Sequence, residues 1–146
     1  MTENIKQDAT KYILYAEDDF DDRFIFKTLL EQVNIEIGSV LVDNGLQAIQ
    51  YLQTLKENES FPCFILLDIN MPVKDGFTTL KEIKAHPTWS SIVTILYTTS
   101  NYFKDLEDGN LYGAERIITK PFKIDDIRKI ISEFAQFCEQ QPEVKK

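Results

Sequence analysis

Four short polar groups in this 146-residue sequence carry side chains suited to chemistry, and each follows an apolar run. Glu17-Asp18-Asp19 follows Tyr12–Ala16, Asp68-Ile69-Asn70 follows Phe64–Leu67, Thr98-Thr99-Ser100 follows Ile92–Tyr97, and Lys120-Pro121 follows Arg116–Thr119. Glu17, Asp18 and Asp68, brought to one place, cannot all ionise comfortably without a cation. A site rich in oxygen and poor in nitrogen and sulfur suits Mg²⁺, which takes one or two carboxylates, several waters and a substrate phosphate. Lys120 and Thr98 add a cation and a hydroxyl donor. Such a set around one aspartate is equipped for phosphoryl transfer: the carboxylate attacks, and the cations neutralise charge developing on the phosphoryl oxygens. Each group alone has an ordinary reading. An acidic cluster ahead of a helix caps it, which would account for Asp19, Asp21 or Asp22, and Lys-Pro is a common turn. The case for a site rests on four groups meeting at one edge.

That meeting depends on the elements that carry them. The apolar runs Tyr12–Ala16, Ser39–Val42, Phe64–Leu67, Ile92–Tyr97 and Arg116–Thr119 read as strands. Phe64–Leu67 is apolar throughout, as expected when both faces of a parallel sheet are covered. Between the strands, Asp21–Val33 shows Ile25, Leu29 and Val33 at i, i+4 spacing with Phe26 and Leu30 beside them, the mark of one buried helix face. Leu46–Lys56, with Ile49 and Leu52 inward, and Phe77–Ala85, with Leu80 and Ile83 inward, read as the next helices. Tyr102–Leu111 is a weak helix, burdened by Asp105, Asp108 and Gly109. Ile124–Cys138 carries the broadest apolar stripe, from Ile127, Ile130, Ile131, Phe134 and Cys138. Strands alternating with helices predict an α/β fold, a five-stranded parallel sheet wrapped by five helices. Ligands of such sheets bind outside the carboxyl ends of the strands, where all four polar groups fall.

Length and charge narrow the alternatives. The chain is about one domain long, so residues 12–138 are expected to form it, with 1–11 a polar lead-in and 139–146 a tail. A formal charge of −8 repels phosphate backbones and argues against nucleic acid as a partner. Cys63 and Cys138 form no CxxC and the chain has a single histidine, which excludes a cysteine-based zinc site; two buried thiols are the expectation. The longest apolar run, Cys63–Leu67, is far short of a membrane span, and Met1–Lys11 has no apolar core of a signal peptide. The expected location is the cytoplasm. His86, beside Pro87 and Trp89, is expected to be a cap or surface group, with no triad pattern around it.

Together these motifs resemble the receiver domain of bacterial response regulators, the CheY-like fold. The resemblance rests on Ile13-Leu14-Tyr15-Ala16-Glu17-Asp18-Asp19, on Leu67-Asp68-Ile69-Asn70-Met71-Pro72-Val73-Lys74-Asp75-Gly76, on Tyr97-Thr98-Thr99 and on Lys120-Pro121-Phe122. It spans about Tyr12 to Cys138 and implies a doubly wound sheet of order 2-1-3-4-5. It implies that Asp68 is phosphorylated by a phosphohistidine donor, a histidine kinase or a phosphotransfer protein. It implies Mg²⁺ held directly by Asp18 and Asp68, through water by Glu17, and by the backbone carbonyl of Asn70. Lys120 would pair with the phosphoryl oxygens and Thr98 would hydrogen-bond them. Pro121 would follow a cis bond, and Gly76 would supply backbone freedom. One position departs from the pattern: Ile117 stands where receivers commonly carry an aromatic that turns inward on activation.

With no output domain expected after the last helix, the signal would leave through the surface formed by Tyr102–Leu111, the fifth strand and Ile124–Cys138. It would reach a downstream protein, and the same face could make a homodimer of an otherwise monomeric chain. Two rivals fit less well. A dehalogenase-type phosphatase needs an aspartate two positions after its nucleophile, where Asn70 stands. A flavin carrier on the same fold would place Ser, Thr and Gly after the first strand, in place of Glu17-Asp18-Asp19.

Overall fold

The computed structural model of the chain describes residues 11–56, 61–99 and 111–141. Strands β1 (Lys11–Ala16), β2 (Ile37–Val42), β3 (Phe64–Leu67), β4 (Thr94–Thr98) and β5 (Arg116–Thr119) form one parallel sheet in the order β2-β1-β3-β4-β5. Helices α1 (Phe20–Val33), α2 (Gly45–Thr54), α3 (Gly76–Ala85) and α4 (Ile124–Gln140) complete the described elements, and α4 is the last of the five expected helices. Of the weak helix expected over Tyr102–Leu111, only Leu111 lies within the described residues; it opens a short 3₁₀ turn, Leu111–Gly113.

The alternation of side chains along the strands builds two cores. Leu14, Ala16, Ile65 and Leu67 point to one face, where they pack with Ala48, Ile49 and Leu52 of α2 and Leu80 and Ile83 of α3. Ile13, Tyr15, Phe64 and Leu66 point to the other, against Phe26, Leu29 and Leu30 of α1 and Ile131, Phe134 and Ala135 of α4. Each fully buried large aliphatic side chain contributes about 1.5–3 kcal/mol relative to exposure, which explains why β3 and, after Lys11, the rest of β1 carry no charged side chain where both faces are covered. In α1 the buried line runs through Phe26 and Leu30, with Ile25 and Val33 only half-buried, a small rotation from the spacing-based expectation.

Side chains set the helix starts. Asp19 accepts from the Asp21 N–H at 3.2 Å ahead of α1, Asn44 from Gln47 at 2.9 Å ahead of α2, and Asp75 from Thr78 at 2.8 Å ahead of α3, each satisfying a donor the helix leaves open. Helix α4 has no such cap but carries Asp125 and Asp126 in its first turn, where they complement the helix dipole. Strand β4 starts at Thr94, later than expected, because the Ile92 N–H closes a 3₁₀ turn over Trp89–Ser91. His86 is a cap, as expected: its Nδ1 accepts from the N–H groups of Thr88 and Trp89, and its ring stacks on the buried Trp89 at 3.7 Å.

Candidate functional site

The register of the sheet assembles the four polar groups. Ala16 of β1 lies opposite Leu67 of β3, so Glu17 and Asp68 leave the sheet side by side, and the Asp68 N–H donates to the Ala16 carbonyl at 3.1 Å. Thr98 ends β4 opposite Thr119 of β5, and the Lys120 N–H donates to the Thr98 carbonyl at 2.9 Å. Glu17, Asp18 and Asp68 each present a carboxylate oxygen within 4.8 Å of the others, Glu17 and Asp68 buried and Asp18 exposed. Thr98 is buried and Asn70 is exposed at the rim. The structure therefore brings together Glu17, Asp18, Asp68 and Lys120, with Thr98 and Asn70 at the adjoining strand end and loop.

Lys120 ties the cluster together. The residue is 8% exposed, and its ammonium pairs with Glu17 Oε1, with Asp22 Oδ2 at 2.9 Å and with Asp68 Oδ2 at 3.6 Å. Burial pulls the ammonium down, but Glu17 and Asp68 outweigh that and hold it above its usual range. Glu17 is pushed up to about 7: burial is the main cause, and Asp68 adds repulsion that Lys120 and the Asp19 N–H only partly offset. The Tyr15 hydroxyl donates to Glu17 at 3.1 Å, and burial, then Glu17, raises that phenol well above its ordinary range. Lys120 alone thus does not fully neutralise the carboxylates. Oxygen donors at this spacing, one of them facing solvent, fit a hard divalent cation that keeps part of its water shell.

Three features lay beyond the sequence reading. Asp22, expected only as a candidate cap, is a partner of Lys120; Asp19 is the cap. Nothing local separates Asp22 from Asp21, since both are acidic residues in the first turn of α1; the contact with Lys120 does. Gly76 is needed for a different reason than the one expected. Its φ lies outside the left-handed region, which among the described residues holds Val73, Tyr112 and Gly113. A Cβ at Gly76 would instead stand 2.2 Å from the Asp68 carbonyl oxygen, so the start of α3 presses directly on the backbone that carries Asp68. Pro121 follows a trans bond, against the cis bond implied by the resemblance; trans is the form an X–Pro bond favours by about 0.5–1 kcal/mol unless its surroundings override it.

The aromatic residues near the departure at Ile117 are partly accounted for. Ile117 is half-buried against the α2–α3 core. Tyr97 is buried on the opposite face, edge-on to Phe134 and tilted on Tyr15, and burial raises its phenol to about 12. Tyr112 stands edge-on to Phe77. Tyr102 and Phe103 lie outside the described residues.

Residues 13–132 match the response regulator receiver domain family, and the chain belongs to it: a receiver domain of two-component signalling. It is 31% identical over 129 residues to response regulator Rcp1 of Synechocystis sp., covering 87% of this chain and 88% of that one. It is 30% identical over 115 residues to chemotaxis protein CheY of Bacillus subtilis, covering 77% and 90%. Among solved structures, the phosphorylated cyanobacterial phytochrome response regulator RcpA superposes with a TM-score of 0.79 at 29% identity, over 94% of this chain and all of that one. The Mn²⁺-bound form of Rcp1 gives 0.77 at 29% identity, over 93% and 99%. Among the described residues, no helix is long and apolar enough to cross a membrane.

Proposed function

We propose that Asp68 accepts a phosphoryl group from the phosphohistidine of a sensor histidine kinase or histidine phosphotransfer protein, with Mg²⁺ at the site. The observation that carries this reading is the placement of Asp68. It sits at the carboxyl end of the central strand, 7% exposed, with the Lys120 ammonium 3.6 Å away and the Glu17 and Asp18 oxygens within 4.8 Å. A carboxylate oxygen of Asp68 attacks phosphorus, the P–N bond breaks, and its electron pair returns to the imidazole of the donor. Asp18, Asp68 and the Asn70 backbone carbonyl would hold the metal, and Glu17 would hold it through water; bound there, Mg²⁺ would supply positive charge to the phosphoryl oxygens. Lys120 exchanges its carboxylate partners for the phosphoryl group, and the Thr98 hydroxyl donates to it. The protein is a phosphoacceptor; the only turnover is slow loss of its own phosphoryl group.

The donor approaches over an apolar rim beside the site. Phe20 and Phe24, stacked on α1, and Phe122 and Ile124, at the start of α4, are all exposed. Phe122 also lines a 280 Å³ hollow together with Asp22, Lys120 and Pro121. Apolar anchors around a charged centre suit a protein donor. Transfer of charge to Asp68 then biases the surface that β5 and α4 present, which binds or releases a downstream protein; most of the expected helix Tyr102–Leu111 lies outside the described residues. The protein acts in the cytoplasm, as a monomer or homodimer, without nucleic acid.

The deciding experiment is incubation with Mg²⁺ and a small phosphodonor, followed by intact-mass analysis. Wild type gains the mass of one phosphoryl group; Asp68→Asn does not. Equal labelling of both, or of neither, overturns the proposal. Hydrogen exchange with and without a phosphoryl mimic reads the switch: protection changes confined to residues 46–56, with 98–120 unchanged, would rule out the proposed surface.

A further inference from the structure

Of the two buried carboxylates at the site, Glu17 is the deeper, 1% exposed against 7% for Asp68. Its Oε2 accepts from the Asp19 N–H at 3.1 Å. Its Oε1 has two partners, the Lys120 ammonium and the Tyr15 hydroxyl, the latter at 3.1 Å. These two donors differ in what they are free to do. Lys120 swings on a flexible four-carbon stem, and two other carboxylates, Asp22 at 2.9 Å and Asp68 at 3.6 Å, already lie within its reach. Tyr15 is locked. It is buried in the core between the sheet and the α1–α4 layer, tilted on Phe26 at 4.7 Å and on Tyr97 at 6.0 Å. Standing two positions before Glu17 on an extended chain, it shares that residue's face. A phenylalanine would fill the same place among those rings, so packing accounts for the ring and leaves the hydroxyl to be explained.

We propose that Tyr15 is a positioning residue for phosphoryl transfer: its hydroxyl keeps Glu17 Oε1 in place and hydrogen-bonded when Lys120 leaves that oxygen for the phosphoryl group on Asp68. The proposal rests on the reading of Asp68 as the phosphoacceptor. Phosphoryl oxygens on Asp68 draw the ammonium toward them, and Glu17 then loses its cation. A buried carboxylate stripped of its partner is costly, and one left without a hydrogen bond as well is costlier still. Tyr15 cannot follow Lys120, so its bond to Oε1 stays. Burial, then Glu17, hold the phenol well above its ordinary range, so it keeps its proton and remains a donor.

The hydroxyl counts unequally in the two states. Before transfer it shares Oε1 with Lys120, which alone would satisfy that oxygen. Once Lys120 has moved, Tyr15 is the donor that remains there, and Asp19 continues to hold Oε2. Only an interaction that strengthens on the way to the transition state speeds a reaction; one equal in both states affects folding stability and nothing else. Tyr15 therefore lowers the cost of moving Lys120 without touching the donor or the reacting atoms.

Tyr15→Phe removes the hydroxyl and keeps the ring. Intact-mass time courses of the full-length chain at saturating Mg²⁺ and several concentrations of a small phosphodonor separate the maximal labelling rate from the half-saturating concentration. The expected result is a maximal rate about tenfold lower, the order of one hydrogen bond to a charged group, with half-saturation unchanged. A lowered urea midpoint with labelling at the wild-type rate assigns the hydroxyl to stability alone and overturns the proposal, as does a change confined to half-saturation. A second measurement uses wild type and stands even if the variant fails to fold. In proton NMR the buried Tyr15 hydroxyl, located by its contacts with the Phe26 and Tyr97 rings, is expected to move downfield on adding Mg²⁺ and beryllofluoride, as its bond to Glu17 shortens. A signal that stays, moves upfield or is lost to exchange overturns the proposal. Wild type that does not label, or Asp68→Asn that labels equally, defeats the reading of Asp68 and this proposal with it; a labelled wild type beside an unaffected Tyr15→Phe defeats this proposal alone.

Discussion

The contact between Gly76 and the backbone of Asp68 makes Gly76→Ala a sensitive probe of the site. The added Cβ would lie 2.2 Å from the Asp68 carbonyl oxygen and 2.8 Å from Ile69 Cα, both backbone atoms, so about 0.8 Å must be found before contact relaxes to 3.0 Å. Overpacking a tight interior costs about 1–3 kcal/mol. Replacing glycine in a helix returns up to ~1 kcal/mol, less here because Gly76 is the first residue of α3. The net expectation is a loss of about 1–2 kcal/mol, which leaves an ordinary domain of ~5–15 kcal/mol folded. The effect on chemistry should be larger in proportion. A displacement of about 1 Å at a reacting group can cost on the order of a hundredfold in rate, and the carbonyl pushed is that of Asp68 itself. We expect phosphoryl incorporation from a small donor to slow by about ten- to a hundredfold. Urea unfolding followed by fluorescence of Trp89, the single tryptophan, reads the first quantity, and an intact-mass time course reads the second. An unfolding midpoint and a labelling rate both equal to wild type would refute the reasoning, because the start of α3 would then yield without moving the Asp68 backbone.

Other perturbations bear on the cation and on the phosphoryl lifetime. Asp18→Asn and Asp68→Asn should each weaken Mg²⁺ binding by about tenfold or more, measured by isothermal titration; unchanged affinity in both would mean the metal is held elsewhere. Lys120→Met leaves Glu17 buried without its cation, and breaking such a pair costs about 3–5 kcal/mol. Urea midpoints in chelator should show a loss toward the low end of that range, since Glu17 can take up a proton near pH 7, and added Mg²⁺ should recover part of it; a loss below about 1 kcal/mol would refute the pairing. Asn70 is exposed beside Asp68 and carries no base, so Asn70→Asp should shorten the lifetime of the acyl phosphate by activating water. Equal dephosphorylation time courses for the two proteins would discount water access at that position.

Much of this protein was legible in the order of its residues. Runs such as Phe64–Leu67, uniformly apolar, announce a strand covered on both faces, and the i, i+4 spacing of Ile127, Ile131 and their neighbours announces the helix that covers it. Those patterns are local, because side chains repeat every 2 residues along a strand and every 3.6 along a helix. The candidate site was legible for a related reason: each polar group directly follows a strand, and parallel strands deliver their carboxyl ends to one edge. What remained out of reach depends on packing between elements distant in sequence. The partnership of Asp22 with Lys120 exists only because α1 lies beside the end of β5. The need for glycine at position 76 follows from how closely α3 approaches the Asp68 backbone, and no φ requirement betrays it. Cys63 and Cys138, 75 positions apart, belong to one core cluster only because α4 covers the same face of the sheet as α1. Sequence alone determined the class of fold and the set of charges; the tertiary structure decided which atoms touch, because contact distances depend on how the layers settle against one another.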